Sequence, residues 1–366
     1  MGCLIKLPKE FPMSHPENSG NMVHGNAPLK MFNSTFFIKD YNYKAMGYAN
    51  FNNFVNTKCS HLIITLANTL KLGEVDGSKY KRLLDFVTKV NKPIVVFGLG
   101  IQSINTNLEE ATLPSEAIQL IKYLSIKSRY LGVRGEFTKK VVEKLCGISN
   151  AYVTGCPSIF SNPDAFKALR VNTRSLVGRP AFSGTKYSND AENTLFINSI
   201  EKENWLIEPV SKFNHNFYLK ILIDTDTYDD IPYFLKRNIR VKDYTKSHPI
   251  RKYFLSRYKL FRNIDDWYQF NTEAVSYTYG TRFHVNMASL ISGKPALWLT
   301  HDARTRELVE FMNLPHLDIN SDKLLDTGNI QNLISYERFF DLLPSLYNNF
   351  NYYLESNNLP KLTLSI

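Results

Sequence analysis

Cysteine is scarce in this chain and its positions form no pattern. Cys3, Cys59, Cys146 and Cys156 are scattered, with no CxxC and no histidine at metal-ligand spacing. That excludes a structural zinc site and a disulfide-stapled module, and it suits a reducing compartment. Long apolar runs are missing as well. No stretch approaches the ~18 apolar residues that would span a bilayer, and the first residues hold no signal-peptide core. Gly2 invites a myristoyl anchor, but Lys6 stands where that pattern needs Ser or Thr. GxGxxG is absent, which removes the dinucleotide fingerprint, and there is no internal repeat or low-complexity tract. The expectation is a cytoplasmic protein.

Other properties are abundant. At 366 residues the chain is too long for one compact core, so two domains are expected. Aromatic residues reach 13%, with 24 Phe and 21 Tyr, and some should face a carbohydrate, a lipid or a partner. The net charge of +10 favours acidic partners: phosphorylated metabolites, anionic headgroups or nucleic acid.

The most informative stretch covers residues 275–302. A β-prone run with Val275, Tyr277 and Tyr279 breaks at Gly280, and Phe283, Met287, Leu290 and Ile291 then follow at helical spacing. Gly293, Lys294 and Pro295 stop that helix, and residues 296–299 read as the next strand of a parallel sheet. Arg282 and His284 therefore lie at a strand's carboxyl edge and a helix start, where ligands bind in open α/β sheets. Free N–H groups there, a guanidinium and an imidazole can hold a phosphate and move a proton. An exposed polar helix start explains the same residues equally well.

Along the rest of the chain, Asn18, Gly20 and Asn21 form a polar turn ahead of a helix over 22–31. It is either an anion or sugar cradle or an ordinary cap. Residues 61–66 read as a strand, 80–90 as an amphipathic helix, and 93–99 as a buried strand ending in Gly98-Leu99-Gly100-Ile101-Gln102, whose glycines let backbone approach a ligand. A helix over 114–124 and a strand over 130–133 follow, the strand delivering Arg134 and Gly135 to its carboxyl end. Arg134 suits a ligand, a helix cap or a pair with Glu136. A helix over 136–145 and a strand over 151–153 complete a doubly wound pattern. Residues 171–193, rich in Ser, Gly, Asn and Thr, read as the hinge into a second domain. Residues 335–355 read as a long aromatic helix crossing back onto the first domain. The expected division is 1–165, 166–334 and the C-terminal helix 335–366.

Residues 236–262, from Lys236 to Arg262, hold ten Lys and Arg against one acid, Asp243. Ile250, Phe254, Tyr258 and Phe261 share one helical face, as in a helix lying on an anionic membrane. Stacking of single-stranded nucleic acid and a solvated basic face anchored by its aromatics fit the same pattern.

Taken together, "NSGN", "GLGIQ", "GVRGEFT", "VTGCPS" and above all "GTRFH" followed by "SGKPALWLTHDARTRELVEFMNLP" resemble the polysaccharide pyruvyl transferase family from Asn18 to Pro315. The chain departs from the family pattern at Asn21, where Asp is usual, and at Gly135, where an acid usually follows the arginine. The resemblance implies two Rossmann-like, doubly wound α/β domains facing each other across a cleft, as in GT-B glycosyltransferases. It implies phosphoenolpyruvate as donor, with no cofactor and no metal, and a sugar of a bacterial surface polysaccharide or its lipid-linked precursor as acceptor. Arg282 and Arg134 are the candidates for the donor's anionic groups and His284 for the proton shuttle. Asn18, Gly20, Asn21, Gly100, Gln102, Asp302 and Arg304 are candidate substrate contacts. Peripheral contact with the inner face of an anionic membrane through residues 236–262 is a further expectation; nucleic acid is not an expected partner. Two rival readings are a glycosyltransferase using a nucleotide sugar and a non-enzymatic binder of anionic polymers.

Overall fold

The computed structural model describes residues 18–32, 47–103, 108–185, 189–208, 212–238, 244–324 and 327–363. Helices α1 (Gly20–Met31) and α2 (Tyr48–Lys58) precede β1 (Leu62–Thr65), β2 (Leu70–Lys71), α3 (Ser78–Val87), β3 (Ile94–Phe97), β4 (Ile101–Gln102), α4 (Ser115–Lys127), β5 (Leu131–Val133), α5 (Glu136–Cys146) and β6 (Ala151–Val153). β1 pairs with β3 and β5 with β6, all parallel. The two pairs are joined through Leu99, which bridges to Val133. Every residue of β3 is buried, as the unbroken run Ile-Val-Val-Phe requires of a central parallel strand. Side chains alternate across it: Ile94 and Val96 pack with Phe86, Val87, Leu120 and Leu124, whereas Val95 and Phe97 face the chain's other large core.

The second half comprises α6 (Ala165–Asn172), β7 (Arg179–Ser183), α7 (Asp190–Glu201), β8 (Trp205–Ile207), α8 (Lys212–Leu222), α9 (Tyr233–Asn238), α10 (Pro249–Arg257), β9 (Tyr258–Lys259), α11 (Ile264–Ala274), β10 (Val275–Gly280), α12 (Phe283–Leu290), β11 (Ala296–Thr300), α13 (Ala303–Phe311), β12 (His316–Asp318) and α14 (Glu337–Ser356). Its strands form one sheet in the order β12-β11-β10-β7-β8-β9, parallel throughout. The architecture is α/β with parallel sheets.

Residues 171–193 are not only a connection. They contain β7, which lies between β10 and β8 in the middle of the sheet, and the start of α7. Composition hid the strand because Gly178, Pro180 and Ser183 are turn-formers. The sheet accommodates Pro180 locally: the β7–β10 register slips between the Val275 and Thr278 pairs, opposite the residue that has no N–H to offer. Gly280 closes the same pair. Its φ is +138°, and a Cβ there would lie 2.1 Å from the Ser183 carbonyl oxygen, so only glycine fits.

The basic stretch also differs from its amphipathic reading. Its helix ends at Arg257, and Tyr258 and Lys259 leave it to pair with Leu206 and Ile207 as an edge strand. Ile250, Tyr253, Phe254 and Tyr258 are buried in the core over the sheet, so the aromatic face is occupied by the protein itself. Lys246 and Arg251 bind Asp224 and Asp226, and Arg257 binds Glu203. What faces outward is a partly neutralised basic surface. Residues 239–243 lie outside the described set.

Helix α14 contacts both halves. Tyr336, at its start, hydrogen bonds to the backbone of Ala296 in β11. Further along, Phe350 stacks on Phe160 and meets the edge of Phe97, Asn349 donates to the Val153 carbonyl, and the Tyr353 hydroxyl donates to the Val96 carbonyl. Among the described residues no helix is long and apolar enough to cross a membrane.

Candidate active site

Parallel strands place all their carboxyl ends on one edge of a sheet. Here the carboxyl ends of strands from both halves open on one cavity of about 970 Å³, lined by Asn18, Gly20, Asn21, Gln102, Arg134, Arg282, His284, Asp302 and Arg304. Of the residues singled out in the sequence, Gly100 alone is not on the wall. It acts from beneath: a Cβ there would lie 2.6 Å from both the Arg134 Cδ and the Ala67 carbonyl oxygen.

Arg134 leaves the end of β5 and is only 1% exposed. Its Nε donates to the Gly98 carbonyl at 3.0 Å and its Nη1 to Asn68 Oδ1 at 2.7 Å, so two of its nitrogens serve to aim the third. Burial lowers its pKa to about 10, with Arg304 adding to the effect; the guanidinium stays charged at neutral pH but is poorly hydrated. Gly135, next in sequence, leaves room for a carboxylate from the other half. Glu307 of α13 accepts from the Thr138 amide at 3.0 Å and the Thr138 hydroxyl at 2.8 Å, capping α5 across the cleft. A Cβ on Gly135 would sit 2.6 Å from that carboxylate.

Arg282 is the N-cap residue of α12. Its Nε donates to the Gly184 carbonyl at 2.9 Å and its Nη2 to that of Thr185 at 2.7 Å, so it also fixes the loop after β7. Asp302 caps α13 by accepting from the Thr305 amide at 2.8 Å, and Arg304 lies 3.1 Å from its other oxygen. Burial alone would raise the Asp302 carboxyl, but Arg304, His301 and the Thr305 hydrogen bonds hold it below the ordinary value. At the third helix start, Asn18 Oδ1 accepts from the Gly20 amide at 3.0 Å, and the Gly20 position is 3.4 Å from the His284 Cβ. The starts of α1, α12 and α13 thus converge on one space, with Arg134, Arg282 and Arg304 around it. Three positive dipole ends and three guanidinium groups suit a small, multiply charged anion.

His284, in the first turn of α12, lies well below the usual imidazole pKa, first through burial, then through His24, Arg134 and Arg304. The unliganded ring is therefore neutral at pH 7. Arg282 is not among the charges responsible, because its guanidinium turns toward the carbonyls after β7. Several residues on or beside the wall were not singled out in the sequence. Asn68 and His301 follow strand ends and follow the same edge rule as Arg134. Glu192, buried among Thr185 and Thr281, lay inside the segment read as a hinge. Cys156, within "VTGCPS", places Sγ 3.8 Å from His284 Nε2. His24 lies one helical turn after Gly20, a spacing that could have marked it as facing the same site.

No curated protein matches the chain. Among solved structures, one described as a UDP-N-acetylglucosamine 2-epimerase from Listeria monocytogenes aligns over 87% of this chain and 81% of its own, at 11% identity and a TM-score of 0.39. The family model for polysaccharide pyruvyl transferase matches residues 14–303. That span contains both halves' contributions to the cavity as far as Ala303, and the chain belongs to the polysaccharide pyruvyl transferase family.

Proposed function

We propose that this enzyme transfers the enolpyruvyl-derived group of phosphoenolpyruvate to two hydroxyls of one sugar, forming a pyruvate ketal. The acceptor is a sugar of a bacterial surface polysaccharide or of its lipid-linked precursor, modified in the cytoplasm. The observation that carries this reading is the convergence of Arg134, Arg304 and three helix starts on a neutral His284, with Arg282 on the same cavity wall. Phosphoenolpyruvate bears a phosphate and a carboxylate on one carbon, and guanidinium groups match both.

The chemistry assigns a task to each group. His284, once protonated beside the bound anions, gives its proton to the methylene carbon, and positive charge develops at C2. The first sugar hydroxyl attacks C2 as the C–O bond to phosphate breaks and phosphate departs with the electron pair. The second hydroxyl then closes the ketal. Two hydroxyl protons are released in all. One restores the imidazolium, replacing the proton now in the methyl group, and the other leaves on phosphate. Arg134 and Arg282 hold the donor's anions, and Arg304, oriented by Asp302, adds positive potential to the same wall. Asn18, Gly20, Asn21 and Gln102 line the remaining wall, where amide groups can bind the sugar hydroxyls. The basic outer surface within residues 236–262 is the place for peripheral contact with an anionic membrane carrying a lipid-linked acceptor.

Thermal-shift titration with phosphoenolpyruvate and with nucleotide sugars tests the donor, and incubation with candidate glycans tests the reaction. Stabilisation by phosphoenolpyruvate, phosphate release and a glycan bearing a pyruvate ketal are expected. Stabilisation by nucleotide sugars alone, with glycosyl transfer, would replace this reading with the glycosyltransferase one. Co-sedimentation with anionic but not neutral vesicles, weakening with salt, tests the membrane contact; equal binding to both, or none, rejects it.

A further inference from the structure

The helix that opens the site brings a second imidazole to the first. His24, on α1, is 4% exposed, and its ring centre lies 4.7 Å from that of His284 at an interplanar angle of 42°. Its Nδ1 has no hydrogen-bond partner among the described residues. A buried, unpartnered polar nitrogen is destabilising, and a phenylalanine ring would carry no such nitrogen.

We infer that His24 is a positioning residue for proton transfer: its ring sets the orientation of the His284 imidazole, and the pair accepts a single proton only when an anionic donor is bound. The inference rests on the assignment of His284 as the shuttle. Two rings so close cannot both be cationic beside a buried guanidinium, because like charges at this distance repel strongly where water is excluded. The groups around the pair act in the same sense: Arg134 from the end of β5 and Arg304 from the start of α13. On the remaining side Cys156 lies against His284, the partly buried Tyr268 of α11 lies near Cys156, and Asp265 pairs with Lys30 at the far end of α1. Burial, and then Arg134, also hold His24 well below the usual imidazole pKa. Asp302 beside Arg304 and Glu307 near Arg134 stand behind the guanidinium groups, but among the described residues the charges acting on the rings themselves are positive, so an arriving phosphate and carboxylate supply negative charge at the imidazoles. Proton uptake thereby becomes conditional on the donor.

The test uses His24→Phe, which keeps an aromatic ring but cannot titrate, and His24→Gln, which keeps polarity but not the ring. With a competitor for the proton gone, the alkaline limb of the kcat/KM profile in His24→Phe, where His284 loses the proton it must donate, should move to higher pH, with plateau kcat within about threefold of wild type. His24→Gln, without the ring contact, should lower plateau kcat about tenfold or more while leaving KM for the donor nearly unchanged. NMR titration of labelled His284 should show the same rise in its pKa in folded His24→Phe. Superimposable profiles for wild type and His24→Phe, with unchanged His284 titration, would overturn the inference. His284→Gln separates the two levels. If it retains turnover, the shuttle assignment itself fails; if it loses turnover while His24→Phe has the wild-type profile, only the role of His24 fails.

Discussion

Arg134 offers the sharpest test of the site, because its surroundings allow charge and aim to be removed separately. Substitution by Ala deletes a buried cation whose free nitrogen faces the cavity. It also leaves the Gly98 carbonyl and Asn68 Oδ1 without their donors at 3.0 and 2.7 Å. Loss of one preorganised charge contact lowers turnover by about 10²–10³, or ~2.7–4 kcal/mol. Stability changes less than two lost charged hydrogen bonds would suggest, because the cost of burying the guanidinium disappears with them. Arg134→Lys keeps the charge but loses the fork that reaches Gly98 and Asn68 together, so an intermediate loss of about tenfold is expected. Gly100→Ala leaves the charge intact and moves it, since the new methyl would meet Cδ at 2.6 Å. Single-turnover phosphate release, donor calorimetry and a thermal melt on each variant separate these effects. The rank order of activity should be wild type, then Arg134→Lys, then Arg134→Ala, with Gly100→Ala impaired though fully charged. If folded Arg134→Ala kept turnover and donor affinity within about threefold, the guanidinium would be a strut between two loops and the anion site would have to lie elsewhere.

Arg282→Ala should also lose about two to three orders of magnitude in turnover. Because it ties down the Gly184 and Thr185 carbonyls, protection of residues 184–185 in hydrogen exchange should fall with it. Asp226 is the pH-sensitive point of the second half: burial alone would raise its carboxyl, but hydrogen bonds from Tyr244, Lys246 and Arg251 hold it below the ordinary value. A depressed folded pKa means its stabilisation is present above the unfolded pKa and lost as pH falls through the folded one. Asp226→Asn should therefore melt lower than wild type at neutral pH, with the gap closing below about pH 4. Gly280→Ala, with its methyl 2.1 Å from the Ser183 carbonyl, should destabilise by at least about 3 kcal/mol in denaturant titration or fail to fold.

Local rules determined much of this protein. Continuous apolar runs identified β3 and β11, the β-prone run through Val275, Tyr277 and Tyr279 identified β10, and glycine and proline marked where α12 stops. The position of Arg282 and His284 between a strand and a helix followed from spacing alone, as did that of Arg134. These features depend on residues a few positions apart, which a sequence displays directly. Other features depend on partners that folding brings together. Pro180 and its neighbours look like a loop until β8 and β10 supply hydrogen bonds on both sides. The aromatics after Lys236 look outward-facing until the sheet edge takes Tyr258 into register. Gly135 looks like a lost acid until Glu307, 169 residues beyond Thr138, occupies the space it leaves. His24 looks like an ordinary helix residue until α1 packs against α12 and sets it beside His284. Burial, charge coupling and long-range hydrogen bonding are properties of the assembled sheets, and the tertiary structure alone decided them.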